Sequence, residues 1–149
     1  EYKSLPEVLS KNEIKRILDQ LSNIKHRCMI SLVYSAGLRR SELLNLTPKD
    51  INSETMSVRI MGKGKKCRYS LLSPKLLEEL RQYFREYRPK KWLFEGETPG
   101  VQYSASALVK VLKEAAQRAG IKHRVHVHVA RHYPNSFPLK TNDLQRIVS

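Results

Sequence analysis

Acidic residues are scarce in this chain. There are 14 Asp plus Glu against 28 Lys plus Arg in 149 residues, a formal net charge of +14. That balance favours a polyanionic partner, and nucleic acid is the commonest one. A solvated basic surface with no partner is the plain alternative, because charge alone says nothing of fold. Cysteine is nearly missing too: Cys28 and Cys67 are the only two and lie far apart. This fits a reduced compartment better than a disulfide framework, so a cytoplasmic protein is expected. No apolar run approaches the ~20 residues of a transmembrane helix. The opening Glu1-Tyr2-Lys3-Ser4 lacks the apolar stretch of a signal peptide. There is no internal repeat and no low-complexity tract. The missing initiator methionine suggests a piece cut from something longer.

What remains is ordinary for a soluble globular protein: 40% hydrophobic and 28% charged residues. The length suits one domain over residues 1–149, able to bury roughly 70% of its unfolded surface. Ser10-Lys11-Asn12-Glu13 reads as a capping box, followed by Ile14, Ile17, Leu18 and Leu21 at helical spacing. A second helix is expected from about Lys25 to Ala36, stopped by Gly37. A short helix from Ser41 to Leu46 ends at Thr47-Pro48. The period then changes. Met56, Val58 and Ile60 alternate with Ser57 and Arg59, and Cys67, Tyr69 and Leu71 alternate after a Gly62-Lys63-Gly64-Lys65 turn. This pattern predicts a β-hairpin. Ser73-Pro74 opens a helix with an apolar stripe of Leu76, Leu77, Leu80, Tyr83, Phe84 and Tyr87. Trp92-Leu93-Phe94 reads as a buried anchor in a loop, and Ser104 to Ala119 as a last helix ended by Gly120. Beyond it, Pro134 and Pro138 would each cost ~3 kcal/mol inside a helix. A helix resumes from Asn142, and residues 133–149 are expected to be loosely packed. The predicted fold class is α+β, mainly α, with one small antiparallel sheet near residues 55–72.

Two short basic motifs carry the chemistry. One is Ser35-Ala36-Gly37-Leu38-Arg39-Arg40-Ser41-Glu42, the other His128-Val129-Ala130-Arg131-His132. Together they supply two arginines and a histidine, which suits a grip on one phosphodiester. More negative charge develops on the phosphate oxygens during attack, and guanidinium groups neutralise it with fixed, bidentate donors. Removing one such donor typically costs ~10²–10³ in rate. Arg39 follows a helix-ending glycine, at a bend that would project it from the surface. Arg131 is expected near a strand-to-helix junction.

These motifs resemble the A-G-L-R-x-S-E and H-x-L-R-H boxes of the tyrosine recombinases, the phage-integrase family. The resemblance runs from Leu5-Pro6 to about Ile147. It implies a catalytic domain for site-specific DNA recombination and integration, acting on double-stranded DNA without metal, ATP or other cofactor. It implies that Arg39 and Arg131 clamp the phosphate and that His128 hydrogen-bonds it or handles protons. Lys63, on the Gly-flanked turn, would be the general acid that protonates the departing 5′ oxygen. Glu42 would be a supporting carboxylate that holds an arginine in place, and His132 would give structural support. Full-length members assemble on DNA through their C-terminal segment. The sequence departs from the family in three ways. Ala130 stands where leucine is usual, and two prolines fall where a continuous helix is expected. The third histidine or tryptophan box and the nucleophilic tyrosine are both missing. The tyrosines are Tyr2, Tyr34, Tyr69, Tyr83, Tyr87, Tyr103 and Tyr133, and none lies downstream of the second motif at the family's interval. The chain is therefore expected to hold a scissile phosphate without forming the protein–DNA link by itself.

Other readings stand beside this one. Arg39-Arg40 would make an ordinary solvated helix-end pair, and Lys63 an ordinary turn lysine. His126, His128 and His132 would suit a metal, but no Cys pair accompanies them, and His126 and His128 alternate as on a strand, so the His128/His132 spacing does not read as a metal-binding H-x-x-x-H helix. Gly62 and Gly64 lack the following helix of a nucleotide-binding loop. The main functional rival is a non-catalytic DNA-binding module on the same scaffold. A basic RNA-binding protein would need stacking aromatics on an exposed sheet, where only Tyr69 is on offer.

Overall fold

The computed structural model describes residues 9–62, 64 and 66–122. The chain runs α1 (Lys11–Asp19), α2 (Ile24–Ala36), α3 (Arg40–Leu44), a 3-10 turn (Pro48–Asp50), β1 (Ile51–Asn52), β2 (Ser57–Met61), β3 (Cys67–Leu71), α4 (Pro74–Tyr87) and α5 (Ala105–Arg118). This is the predicted mainly helical fold with one small antiparallel sheet. The single-domain reading of residues 1–149 and the loose packing of residues 133–149 lie partly or wholly outside the described residues.

α2 is the axle. Every residue from Cys28 to Ser35 is buried, so the helix has no solvent face over that stretch. It packs on α1, α3 and α4, while α1 also packs on α5. Asn23 caps its start by accepting from the N–H groups of Lys25 and His26. Gly37 ends it at φ 65° and ψ 45°, a left-handed conformation that a side chain would strain. The other helices are capped in the same chemical language. The capping box of Ser10 and Glu13 is present in both directions. Ser73 accepts from Leu76 N–H with Pro74 in the first turn, and Ser104 accepts from Ala107 N–H. The apolar stripe of α4 turns Leu76, Leu77, Leu80 and Tyr83 inward but leaves Phe84 and Tyr87 exposed. In the loop that follows, Leu93 and Phe94 are buried and Trp92 is half-buried. Glu95 organises that loop, its buried carboxylate accepting from the N–H groups of Lys90, Lys91 and Trp92.

The sheet order is β1-β2-β3, antiparallel throughout. β1 is an addition to the predicted hairpin. Met56 is not in the strand: it sits at φ 53° in the turn between β1 and β2. In β3 the alternating Cys67, Tyr69 and Leu71 lie on the exposed face, Tyr69 by 67%. The register pairs Ile60 with Arg68 and Val58 with Ser70, so Arg68 and Ser70 share the inner face with the buried Val58 and Ile60. The reason is electrostatic: Arg68 is drawn inward by acceptors at the end of α2 and in α3.

Candidate nucleic-acid interface

The elbow between α2 and α3 builds the site. Gly37 reverses the chain, Leu38 buries completely, and Arg39 takes the N-cap position of α3 with an extended backbone. An arginine at an N-cap has no side-chain oxygen to satisfy the free helix N–H groups. Glu42, three residues on, does the reverse half of a capping box: its Oε1 accepts the Arg39 N–H at 2.9 Å. Arg39 is thereby fixed through its backbone while its guanidinium, half-buried, has no hydrogen-bond or ion-pair partner among the described residues.

The Glu42 carboxylate also hydrogen-bonds an arginine side chain. That arginine is Arg68, from β3. Arg68 Nη1 donates to Glu42 Oε2 at 2.9 Å, and Nη2 donates to Oε1 at 3.2 Å and to the Gly37 carbonyl at 3.1 Å. Glu42 is 6% exposed. Burial alone would raise its carboxyl, but the Arg68 hydrogen bonds, the Arg39 N–H and the nearby positive charges outweigh this and hold it below the usual carboxylate range. A second ion pair braces the sheet nearby. The buried Asp50 accepts from Arg59 Nε at 3.0 Å, lies 2.8 Å from Arg59 Nη2 as an ion pair, and also accepts the Thr47 N–H.

The β2–β3 turn abuts the same carboxylate. Gly62 N–H donates to the Lys66 carbonyl at 2.6 Å. A Cβ on Gly62 would stand 3.4 Å from Glu42 Oε2, so the turn passes directly beside the elbow. Gly64, at φ 76°, gives the turn its tight reversal. Lys63 itself lies outside the described residues, as do His128, Arg131 and His132. Among the predicted site residues, then, the structure places Arg39 and Glu42 together and sets Gly62, the residue before Lys63, beside Glu42. Sequence reasoning missed Arg68. The basic run Lys65-Lys66-Cys67-Arg68 was visible, but nothing in it says that Arg68 meets Glu42 across the fold.

The far end of α2 carries a different cluster. Lys25 Nζ donates to the Glu95 carbonyl at 2.6 Å and lies 5.0 Å and 5.1 Å from the ring centres of Tyr87 and Tyr103. Burial pushes the Lys25 ammonium down, partly offset by the Glu95 charge. The 13 residues of α2 put this cluster roughly 20 Å from Arg39. Among the described residues there is no group of His, Cys, Asp and Glu suited to a metal ion, and no helix long and apolar enough to cross a membrane.

Comparison with known proteins identifies the scaffold. A Sinorhizobium fredii protein, y4qK, provisionally named an integrase/recombinase, is 42% identical over 129 residues, covering 86% of this chain and 42% of that protein. A tyrosine recombinase of Pseudothermotoga lettingae is 35% identical over 132 residues, covering 86% of this chain and 45% of that protein. The chain thus spans about half the length of the curated relatives it matches. In fold, the crystal structure of XerA recombinase superposes with a TM-score of 0.74 at 23% identity, over 85% of this chain and 48% of that one. XerH site-specific recombinase bound to its palindromic difH substrate gives 0.73 at 23% identity, over 97% of this chain and 49% of that one. The sequence profile of the phage integrase family matches residues 7–136, nearly the whole chain, and the chain belongs to that family.

Proposed function

We propose that these residues form the phosphate-gripping part of a tyrosine-recombinase catalytic domain, which cleaves and rejoins double-stranded DNA at specific sites. The observation that carries this reading is the Arg39 elbow. A guanidinium with no partner among the described residues is fixed by its own backbone beside a glycine-flanked basic turn. A phosphodiester is the ligand such a pair suits. Arg39 and Arg131 clamp the non-bridging oxygens, and His128 hydrogen-bonds the same phosphate. A tyrosine oxygen attacks phosphorus, the bond to the 5′ oxygen breaks, and Lys63 delivers the proton that the departing oxygen needs. Glu42 and His132 support the clamp. The energy of the broken bond stays in the protein–DNA link, so the chemistry calls for neither metal nor ATP.

The nucleophile is not among these residues. Tyr34 and Tyr83 are buried, and burial pushes both hydroxyls well up. Tyr87 and Tyr103 belong to the Lys25 cluster at the far end of α2. Tyr69 is exposed but stands on the sheet face opposite to Arg68. Tyr2 and Tyr133 lie outside the described residues, and neither has the family's spacing from Arg131. Double-stranded DNA is the partner, with self-assembly on DNA in the full-length protein and a cytoplasmic setting.

The test is Arg39→Ala in the full-length protein, measured for duplex binding and for cleavage of a cognate site. Cleavage is expected to fall by ~10²–10³, with affinity changing by only a few-fold. A pure DNA-binding module would show no cleavage to lose, and equal losses of both would contradict the assigned role.

A further inference from the structure

We propose that Arg68 is a positioning residue whose guanidinium fork locks the β2–β3 turn to the α2–α3 elbow, so that Lys63 and Arg39 address one phosphate. The proposal rests on the recombinase reading for the roles of those two residues. It adds a part that neither sequence motif contains.

Arg68 joins three pieces of chain that are distant in sequence. Its Nη2 reaches the carbonyl of Gly37, where α2 ends in the left-handed conformation. Both terminal nitrogens grip Glu42, and Glu42 in turn holds the Arg39 N–H. Its own backbone is paired with Ile60 across the hairpin, next to the Met61–Cys67 pair that leads into the turn. The turn is closed by Gly62 N–H on Lys66 O, and Gly62 lies against Glu42 Oε2. The elbow and the turn are therefore one unit, and Arg68 is the side chain that makes them so. Both terminal nitrogens are engaged with Glu42 and Gly37, so the fork acts on the site through these neighbours. Lysine would keep the charge at position 68 but not the geometry. An ammonium is a point donor and cannot span a carboxylate and a backbone carbonyl in one plane.

The separation matters because a general acid and a phosphate clamp must meet the same group. A misplacement of about 1 Å in such a pair can cost ~10²-fold in rate. The first variants are Arg68→Lys, Lys63→Ala and the double variant, in the full-length protein on a nicked suicide duplex. Arg68→Lys is expected to slow covalent-complex formation by ~10-fold or more, with DNA affinity within about twofold because lysine keeps the positive charge at position 68. On top of Lys63→Ala, it should slow the reaction by less than about twofold, since both changes remove one function. A substrate with sulfur in place of the scissile 5′ oxygen needs no proton on departure, and it should restore Arg68→Lys to near the wild-type rate. A merely structural loss slows both substrates alike. Equal slowing of the two substrates, additive effects in the double variant, or affinity falling in step with cleavage would each overturn the proposal. If the wild-type protein forms no covalent complex at all, the recombinase reading is what fails. Amide exchange then decides the clasp itself. Arg68→Lys should speed exchange at Gly62 and Arg39 with α1 and α5 unchanged, and equal rates at those two amides would overturn it.

Discussion

Glutamine at position 42 would keep the shape of the carboxylate and remove its charge. The two oxygens of Glu42 accept three hydrogen bonds: Arg39 N–H and Arg68 Nη2 at Oε1, and Arg68 Nη1 at Oε2. An amide offers one acceptor oxygen. Placed at the Oε1 site it keeps two of these bonds in weaker, neutral form, and its NH₂ then faces Arg68 Nη1, donor against donor. A charge-assisted bond of this kind contributes roughly 1.5–3 kcal/mol. The Arg68 side chain is 46% exposed, so its guanidinium can turn to water. That screening reduces the expected loss to about 1–2 kcal/mol, or about 3–8 °C in Tm for a domain of this size. The pH dependence has a definite sign. The folded Glu42 carboxyl lies below its unfolded value, which is about 4.3. Its contribution is therefore present above that pH and is lost as pH falls through the folded value. Paired thermal melts of wild type and Glu42→Gln should show a gap at pH 7 that narrows on acidification. A gap below about 1 °C at pH 7, or one as wide at pH 3, would refute the claim that the charged clasp holds the elbow.

Two further outcomes are expected. Glu95→Gln should destabilise the α4–α5 loop by about 2 kcal/mol. Burial would raise the Glu95 carboxyl, but the N–H groups of Lys91, Trp92 and Lys90 hold it at about 2, so wild-type stability should fall as pH drops from about 4.3 toward that value and the variant should lack this acid limb, as acid titration of the melts will show. Gly37→Ala forces a side chain into the left-handed region at φ 65° and should cost ~1 kcal/mol or more in urea unfolding; an unchanged midpoint would mean that the elbow relaxes freely.

The helices were legible because their signals are local. The Ser10 capping box, the Gly37 stop, the Ser73-Pro74 start and the helix start at Ser104 each depend on neighbours within a turn, and each is where the sequence places it. The sheet was legible only as a hairpin. β1 has two residues, too few for a period to register. The inner face of β3 was not legible, because alternation shows that two faces exist without saying which is buried. Tyr69 and Leu71 carry the apolar signal, yet the acceptors on Glu42 and Gly37 outweigh it and bring Arg68 inward. The site was legible in the same measure. Arg39 and Glu42 share a motif and were found together. Arg68 is separated from Glu42 by 26 residues, and only the folded hairpin brings them into contact.

The most direct test is covalent trapping with this chain itself. Mixed with nicked suicide duplexes and run on a denaturing gel, it should give no DNA-linked band, while binding duplex DNA with an affinity that falls steeply as salt rises and counterion release on binding becomes less favourable. A DNA-linked band would show that one of its own tyrosines attacks phosphorus. Binding indifferent to salt would show that it does not grip the phosphate backbone.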